Sequence, residues 1–317
     1  MLPRLVYIAG YGRSGSTLLE ILIGNLHNVQ NVGELANIFE YWHDANQKCS
    51  CGQAMTSCDF WNSVCEAYLT ELGSIDETYL RRDMQRAVEE RRSFYSSFFR
   101  LNKQKLHSQY IQQQRALFKA IASQSKKEIV VDSSKTARLT AWRPYALCRI
   151  AGFEVNVIHL IRDIRGVIYS MMKGSNTKME NGEVNFSLRF AMIRALYGWT
   201  MANLVMNYQS SLLPSGSVIR VHYEDVIKNP KNELIRIGDF LGVDPTNIIN
   251  KLEKKEILSG GHCFSGNRLR HVGVSRITKE EQWRTEAPKK LHVFYWTLGW
   301  PLHVLFYKRG ICKGQSL

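Results

Sequence analysis

Residues 9–19 read AGYGRSGSTLL: Ala9-Gly10-Tyr11-Gly12-Arg13-Ser14-Gly15-Ser16-Thr17-Leu18-Leu19. The run before the loop, residues 5–9, is apolar and rich in β formers, and a glycine ends it, so it reads as a buried strand. After it, Leu18, Leu19, Leu22, Ile23 and Leu26 recur at helical spacing. Strand, glycine loop and helix together place backbone N–H groups at a helix N-terminus, facing an anion. The spacing Gly10-x-x-x-x-Gly15 and the hydroxyl of Thr17 match a P-loop, but Ser16 stands where that loop carries its lysine. Arg13 brings a planar, permanent cation instead, and Ser14, Ser16 and Thr17 add hydroxyl donors. The plainer alternative is a serine-rich turn that caps a helix.

The pattern repeats along the chain. Residues 29–32, 128–132, 153–161 and 217–222 read as further strands. Helical patterns follow at 138–150, 167–172 and 187–212, and from Asn229-Pro230 to about 241. Alternating strands and helices predict an α/β fold: a P-loop-like parallel sheet flanked by helices. Ligands of such sheets bind at the carboxyl ends of the strands. The informative polar groups fall there: the glycine loop, Gly33-Glu34, Asp132-Ser133-Ser134-Lys135, Arg162-Asp163 and Tyr223-Glu224.

Residues 40–125 differ in character. A cysteine group comes first, then a long stretch without glycine or proline that reads as helix. The expectation is a cysteine-containing helical insertion within a single domain spanning 1–317, its basic residues forming a solvated helix face. Four of the seven cysteines, Cys49, Cys51, Cys58 and Cys65, lie in this insertion. Cys49-x-Cys51 is tight and the next two spacings are six residues each, unlike the paired ligands of a zinc site. Reduced thiols are the default reading, with a disulfide and zinc as the alternatives.

Hydrophobic residues make up 44% and charged residues 22% of the 317, as in a globular protein with a full core. The net charge of +14 favours anionic partners without choosing among them. No N-terminal signal and no run of about 18 apolar residues is visible, so a cytoplasmic location is expected. Residues 291–310, LHVFYWTLGWPLHVLFYKRG, come nearest to a span, but two histidines and a proline argue for a docked terminal segment. Weak membrane-surface contact through its aromatics and Lys308-Arg309 is the lesser reading.

A second signal is VIHLIRDIRGVIYSMM at 157–172: Arg162 ends a buried strand, and Ser170 lies eight residues on, within a helix. By itself it reads rather as an Arg162–Asp163 surface pair with Asp163 at a helix N-cap. The two signals in this order resemble the sulfotransferases that use PAPS (3′-phosphoadenosine 5′-phosphosulfate). Residues 10–19 are similar to their 5′-phosphosulfate loop, and 159–170 to their 3′-phosphate motif, L-x-R-D-P-R-A-x-x-x-S. Asp132-Ser133-Ser134-Lys135, the segment from Tyr223 to Pro230, FLGV at 240–243 and GNRLR at 266–270 resemble runs of bacterial members. Gly12, Ile164 and Gly166 depart from the family's usual proline, proline and alanine.

The resemblance implies that Gly12, Arg13, Ser14, Gly15, Ser16 and Thr17 hold the phosphosulfate, that Arg162 and Ser170 hold the 3′-phosphate, and that Tyr223, Gly266, Asn267 and Arg268 close over the nucleotide. It implies in-line sulfuryl transfer to a hydroxyl or amine with PAP leaving, Arg13 and Lys135 meeting the developing charge, and no metal required. One branch takes the acceptor proton with a histidine near Asp132–Lys135, where this chain has none. The tyrosylprotein and carbohydrate branches use a glutamate after the second strand, which Glu34 matches; His27 and His43 are nearby alternatives. The acceptor, be it a sugar, a phenol, a lipid headgroup or another small molecule, is not readable. The insertion and residues 174–187 are expected on its side. The rival readings are a P-loop kinase using ATP-Mg²⁺, and a non-catalytic basic protein binding nucleotides or nucleic acid. The kinase lacks its lysine and has only Asp132 as a candidate metal ligand. The binding protein rests only on the net charge and the arginine-rich helices, and no nucleic-acid motif is present.

Overall fold

The first strand, β1 (Arg4–Ala9), occupies the centre of a five-stranded parallel sheet of order β2-β3-β1-β4-β5. Its partners are β3 (Ile129–Asp132), in register at Val6↔Val131, and β4 (Val155–Ile161), in register at Tyr7↔Val157. β2 (Val29–Asn31) and β5 (Val218–His222) form the edges. The structure, a computed structural model, describes residues 1–72, 78–90, 103–172, 188–277 and 282–307. Side chains alternate across the sheet. Leu5, Tyr7 and Ala9 enter one core, while Val6 and Ile8 enter another on the opposite face. Burial on both faces explains why these strands read as continuous apolar runs.

On the second face lies α1 (Ser16–Gly24), with the helices at 223–253 beside it. The first face is covered from the chain between β2 and β3. That stretch holds a cysteine-bearing turn, α2 (Asp59–Leu72), α3 (Thr78–Glu89) and α4 (Lys103–Ser125), with α2 and α3 packed on α4. A third core gathers α5 (Ile164–Met172), α6 (Leu188–Leu212) and the segment after 288.

One expectation needs correction. Residues 138–150 do not form one helix. A 3₁₀ turn (Arg138–Thr140), an α turn (Arg143–Tyr145) and a π turn (Ala146–Ile150) follow one another. Pro144 has no N–H to continue an incoming helix and starts a new one. The carboxyl-terminal segment runs as Lys289–Phe294, a π turn at Tyr295–Gly299, and Trp300–Tyr307. It is docked: Leu291, Tyr295 and Phe306 are buried beside Trp199, while Trp296, Leu298 and Leu305 face outward. Lys308 and Arg309 lie outside the described residues, as does the 174–187 segment. Among the described residues no helix is long and apolar enough to cross a membrane.

Candidate active site

With β1 between β3 and β4, the loops leaving these three strands converge at one end of the sheet. The loop after β1 begins at Gly10, whose φ is +125° and where a Cβ would stand 2.2 Å from the carbonyl oxygen of Leu160, so only glycine fits. Arg13 adopts a left-handed φ of +68°. Gly15, at +92°, is the residue before α1, and a Cβ there would meet the Tyr223 ring at 2.3 Å. The bare glycine thus lets the loop and the ring close together above the N-terminus of α1, a place whose backbone amides favour an anion.

The β3 side presents Lys135, also left-handed, at +66°. Its carbonyl accepts the Tyr7 hydroxyl and, at 2.9 Å, the Thr140 hydroxyl. Thr136 bonds the Gly10 backbone, tying this loop to the glycine loop. The Lys135 ammonium pairs with Oε1 of Glu34, while Oε2 of Glu34 takes a 3.3 Å contact from Asn37 Nδ2. Below them, Asp132 accepts Ser134 N at 2.9 Å and Arg143 Nε at 2.8 Å, which engages both its oxygens. Arg143 also pairs with Glu89 of α3, and all three charged groups are buried. Burial alone would lower the Arg143 pKa, but the two carboxylates raise it above the ordinary value. On the other face Glu20 of α1 is fully buried, accepting Gly33 N at 2.6 Å and Ser133 Oγ at 2.7 Å. Burial pushes its pKa up to about 7, against those hydrogen bonds.

The β4 side presents Arg162, which is buried. Its Nη1 donates to the carbonyl of Arg13 at 3.0 Å, and its guanidinium lies over the Tyr223 ring, 4.4 Å from the centroid. Its Nε has no hydrogen-bond partner. Asp163 is turned away, held bidentately by Arg165, so Arg162 and Asp163 do not form a surface pair. The fourth wall comes from near residue 266: Asn267 N donates to Thr17 Oγ1 at 3.3 Å, and Arg270 donates to Gly266 O at 2.8 Å.

These walls enclose a cavity of about 440 Å³. Gly12, Arg13, Gly15, Ser16, Thr17, Glu34, Lys135, Arg162, Ser170, Tyr223, Gly266 and Asn267 all line it. Two of the residues singled out from the sequence do not. Ser14 is buried under the loop, tucked in by the left-handed residues on either side, and its Oγ has no hydrogen-bond partner. Arg268 is exposed at the start of the turn Leu269–Val272, where Asn267 caps the chain and turns it outward. His27 and His43 are exposed and do not line the cavity. Arg276 lines it unforeseen, as do Leu18, Leu269, Val274 and Ile277. Arg276 is one of 42 basic residues and no motif surrounds it, so the sequence carried no signal for it.

Residues 3–286 match the model of the sulfotransferase domain family. The chain belongs to the sulfotransferase family. Comparison with curated proteins finds no match. Among solved structures, the chain is similar to the sulfotransferase domain of the Synechococcus PCC 7002 olefin synthase, with 17% identity over 95% of this chain and 94% of that one and a TM-score of 0.47. It is also similar to the sulfotransferase domain of the curacin biosynthetic pathway (18% identity, 77% and 75% covered, TM-score 0.44). A third is retinol dehydratase, solved with androsterone and PAP (13% identity, 96% and 81% covered, TM-score 0.40). As a member of the family, the protein is a transferase of sulfuryl groups.

The described cysteines of this sulfotransferase are free thiols. Cys49, Cys51 and Cys58 come together with His262, outside the cavity, and Cys65 stands apart on α2.

Proposed function

We propose that the protein moves a sulfuryl group from PAPS to a hydroxyl or amine of its acceptor. The observation that carries this reading is one cavity lined by Arg13, Lys135 and Arg162 together with the hydroxyls of Ser16, Thr17 and Ser170 and the Tyr223 ring. A nucleotide with phosphate at both ends of its ribose suits that donor set. The orphaned Nε of Arg162 supplies a buried donor for an anion, and the volume lies within the roughly 300–1,000 Å³ of cofactor pockets. Arg13, Ser16, Thr17 and the amides of the loop would hold the phosphosulfate. Arg162 and Ser170 would hold the 3′-phosphate, with Tyr223, Gly266 and Asn267 against the nucleotide.

PAPS supplies the sulfuryl group and departs as PAP. The chain's own work is positioning and charge. Glu34 takes the acceptor proton at Oε2, whose contact from Asn37 is long, and holds it as transfer proceeds. Protonation of Glu34 removes the charge that balances Lys135. The ammonium, left unbalanced beside Arg13, then meets the negative charge developing on the leaving phosphate. Cationic side chains supply the counter-charge in this scheme, in place of a metal.

The kinase reading loses its one metal ligand, because both oxygens of Asp132 are engaged by Ser134 and Arg143. The test is a pair of thermal-shift titrations, with PAP and with ATP-Mg²⁺. PAP is expected to raise the melting temperature; stabilisation by ATP-Mg²⁺ without stabilisation by PAP would overturn the proposal.

A further inference from the structure

Away from the cavity, three thiols and one imidazole meet. The chain at 47–55 folds back on itself: Cys49 N donates to Gln53 O at 2.8 Å, Gly52 N to Cys49 O at 3.0 Å, and Met55 N to Gln47 O at 2.8 Å. Gly52 takes φ +95°, which this turn requires, and brings Cys49 and Cys51 to the same side. Cys58 caps α2, since Asn62 N donates to its carbonyl at 2.9 Å and the Trp61 backbone N–H to its sulfur. The Cys51 backbone N–H likewise points to the sulfur of Cys49. His262 enters from the far end of the chain, 204 residues after Cys58. Phe60 stacks on its ring at 4.6 Å, and its carbonyl accepts Trp61 Nε1 at 2.8 Å. The ring is thereby aimed with Nδ1 toward the sulfurs.

The spacing of these atoms is specific. Cys51 Sγ and Cys58 Sγ are 3.7 Å apart. His262 Nδ1 is 3.7 Å from Cys49 Sγ and 3.5 Å from Cys58 Sγ. All four donor atoms lie within 4.8 Å of one another. A zinc tetrahedron with Zn–S of about 2.3 Å and Zn–N of about 2.05 Å has S···S edges of about 3.8 Å and S···N edges of about 3.6 Å. A chain of close thiol contacts would not need an imidazole nitrogen at that same separation from two sulfurs. The N–H···S bonds from Cys51 and Trp61 are of the kind that support thiolate ligands.

We propose that Cys49, Cys51, Cys58 and His262 bind one Zn²⁺ in a closed, structural Cys₃His site. Three thiolates and one imidazole in tetrahedral array suit zinc over the harder divalent ions, and four protein ligands leave no position for substrate. Each thiol gives up its proton as the metal binds. The site staples the cysteine turn to the segment 259–264, where Ser50 already bonds Cys263 O at 2.8 Å and Gly261 O at 2.7 Å. Phe264 bridges Gly33 and leads directly to Gly266 and Asn267 of the cavity wall. The metal therefore anchors the base of that wall without touching the reaction.

The full chain, purified with a thiol reductant, is to be assayed for metal by elemental analysis and reconstituted with Zn²⁺ or Co²⁺. The expected result is one zinc per chain, and with Co²⁺ the visible bands of a tetrahedral site and a thiolate charge-transfer band. Cys58→Ala and His262→Ala should each weaken zinc binding more than about 100-fold, whereas Cys65→Ala keeps it. Should those variants fail to fold, the wild-type protein still answers: titration of its thiols with a mercurial should release the zinc to a chromogenic chelator. Reduced protein that neither carries nor takes up stoichiometric zinc would overturn the proposal, as would Cys58→Ala retaining zinc like the wild type.

Discussion

At the residue scale, the site depends on single atoms whose alternatives are easily specified. Arg162 offers a buried, planar fork stacked on Tyr223, and its loss removes charge-assisted hydrogen bonds worth about 1.5–3 kcal/mol. Arg162→Ala is expected to weaken PAP binding roughly ten- to a hundredfold by calorimetry, with the fold intact by circular dichroism. Glu34→Gln keeps the shape of the side chain and loses the proton acceptor. It should bind PAP as the wild type does while kcat falls by about 10²–10⁴; an active Glu34→Gln enzyme would remove Glu34 as the base. Gly15→Ala tests the close approach of loop and ring. The added methyl meets Tyr223 at 2.3 Å in a left-handed backbone, so a lower melting temperature and weaker PAP binding are expected together.

At the scale of elements, the helices between β2 and β3 hold the β3 loop in place. Glu89, the last residue of α3, reaches Arg143, which in turn holds Asp132 at the end of β3, three residues before Lys135. Tyr110 of α4 adds a 2.8 Å hydrogen bond to Glu89, and Gln85 another at 3.1 Å. Removing one member leaves a buried charge without its partner, which costs about 3–5 kcal/mol. Glu89→Ala should therefore lower the unfolding free energy measured by urea titration by that much, and Glu89→Gln by less, since the amide keeps an acceptor for Arg143. Nothing local marks Glu89 out: in sequence it is one acidic residue on an amphipathic helix. Its role exists only because the fold brings Arg143, 54 residues later, against the end of α3.

At the scale of the whole molecule, Glu20 joins α1, the Gly33 turn, the β3 loop and, through Cys263 at 3.4 Å, the segment after 259. Burial keeps its proton up to about pH 7 in the folded state, whereas the ordinary value is 4.5. Between those values the folded chain binds more protons than the unfolded one, so stability falls as pH rises through this window. The full effect is about 3 kcal/mol. Denaturation at pH 5 and pH 8 should show that loss in the wild type and much less of it in Glu20→Gln; equal pH dependence in both would refute the assignment. The sequence by itself determined the strands, the glycine loop and most of the cavity's residues. Apolar runs ending in glycine or charge are local signals, and a parallel sheet gathers strand ends in one place whatever the helices do. It did not determine the Glu34–Lys135 pair, the Asp132–Arg143–Glu89 triad, the place of Arg276, or which cysteines meet. Each of these joins residues far apart in the chain, and spacing along the chain carries no information about such contacts. The cysteine spacing argued against a metal because the fourth ligand, His262, is brought in by the packing of 259–264 against the turn at 47–55, a juxtaposition that only the folded backbone creates.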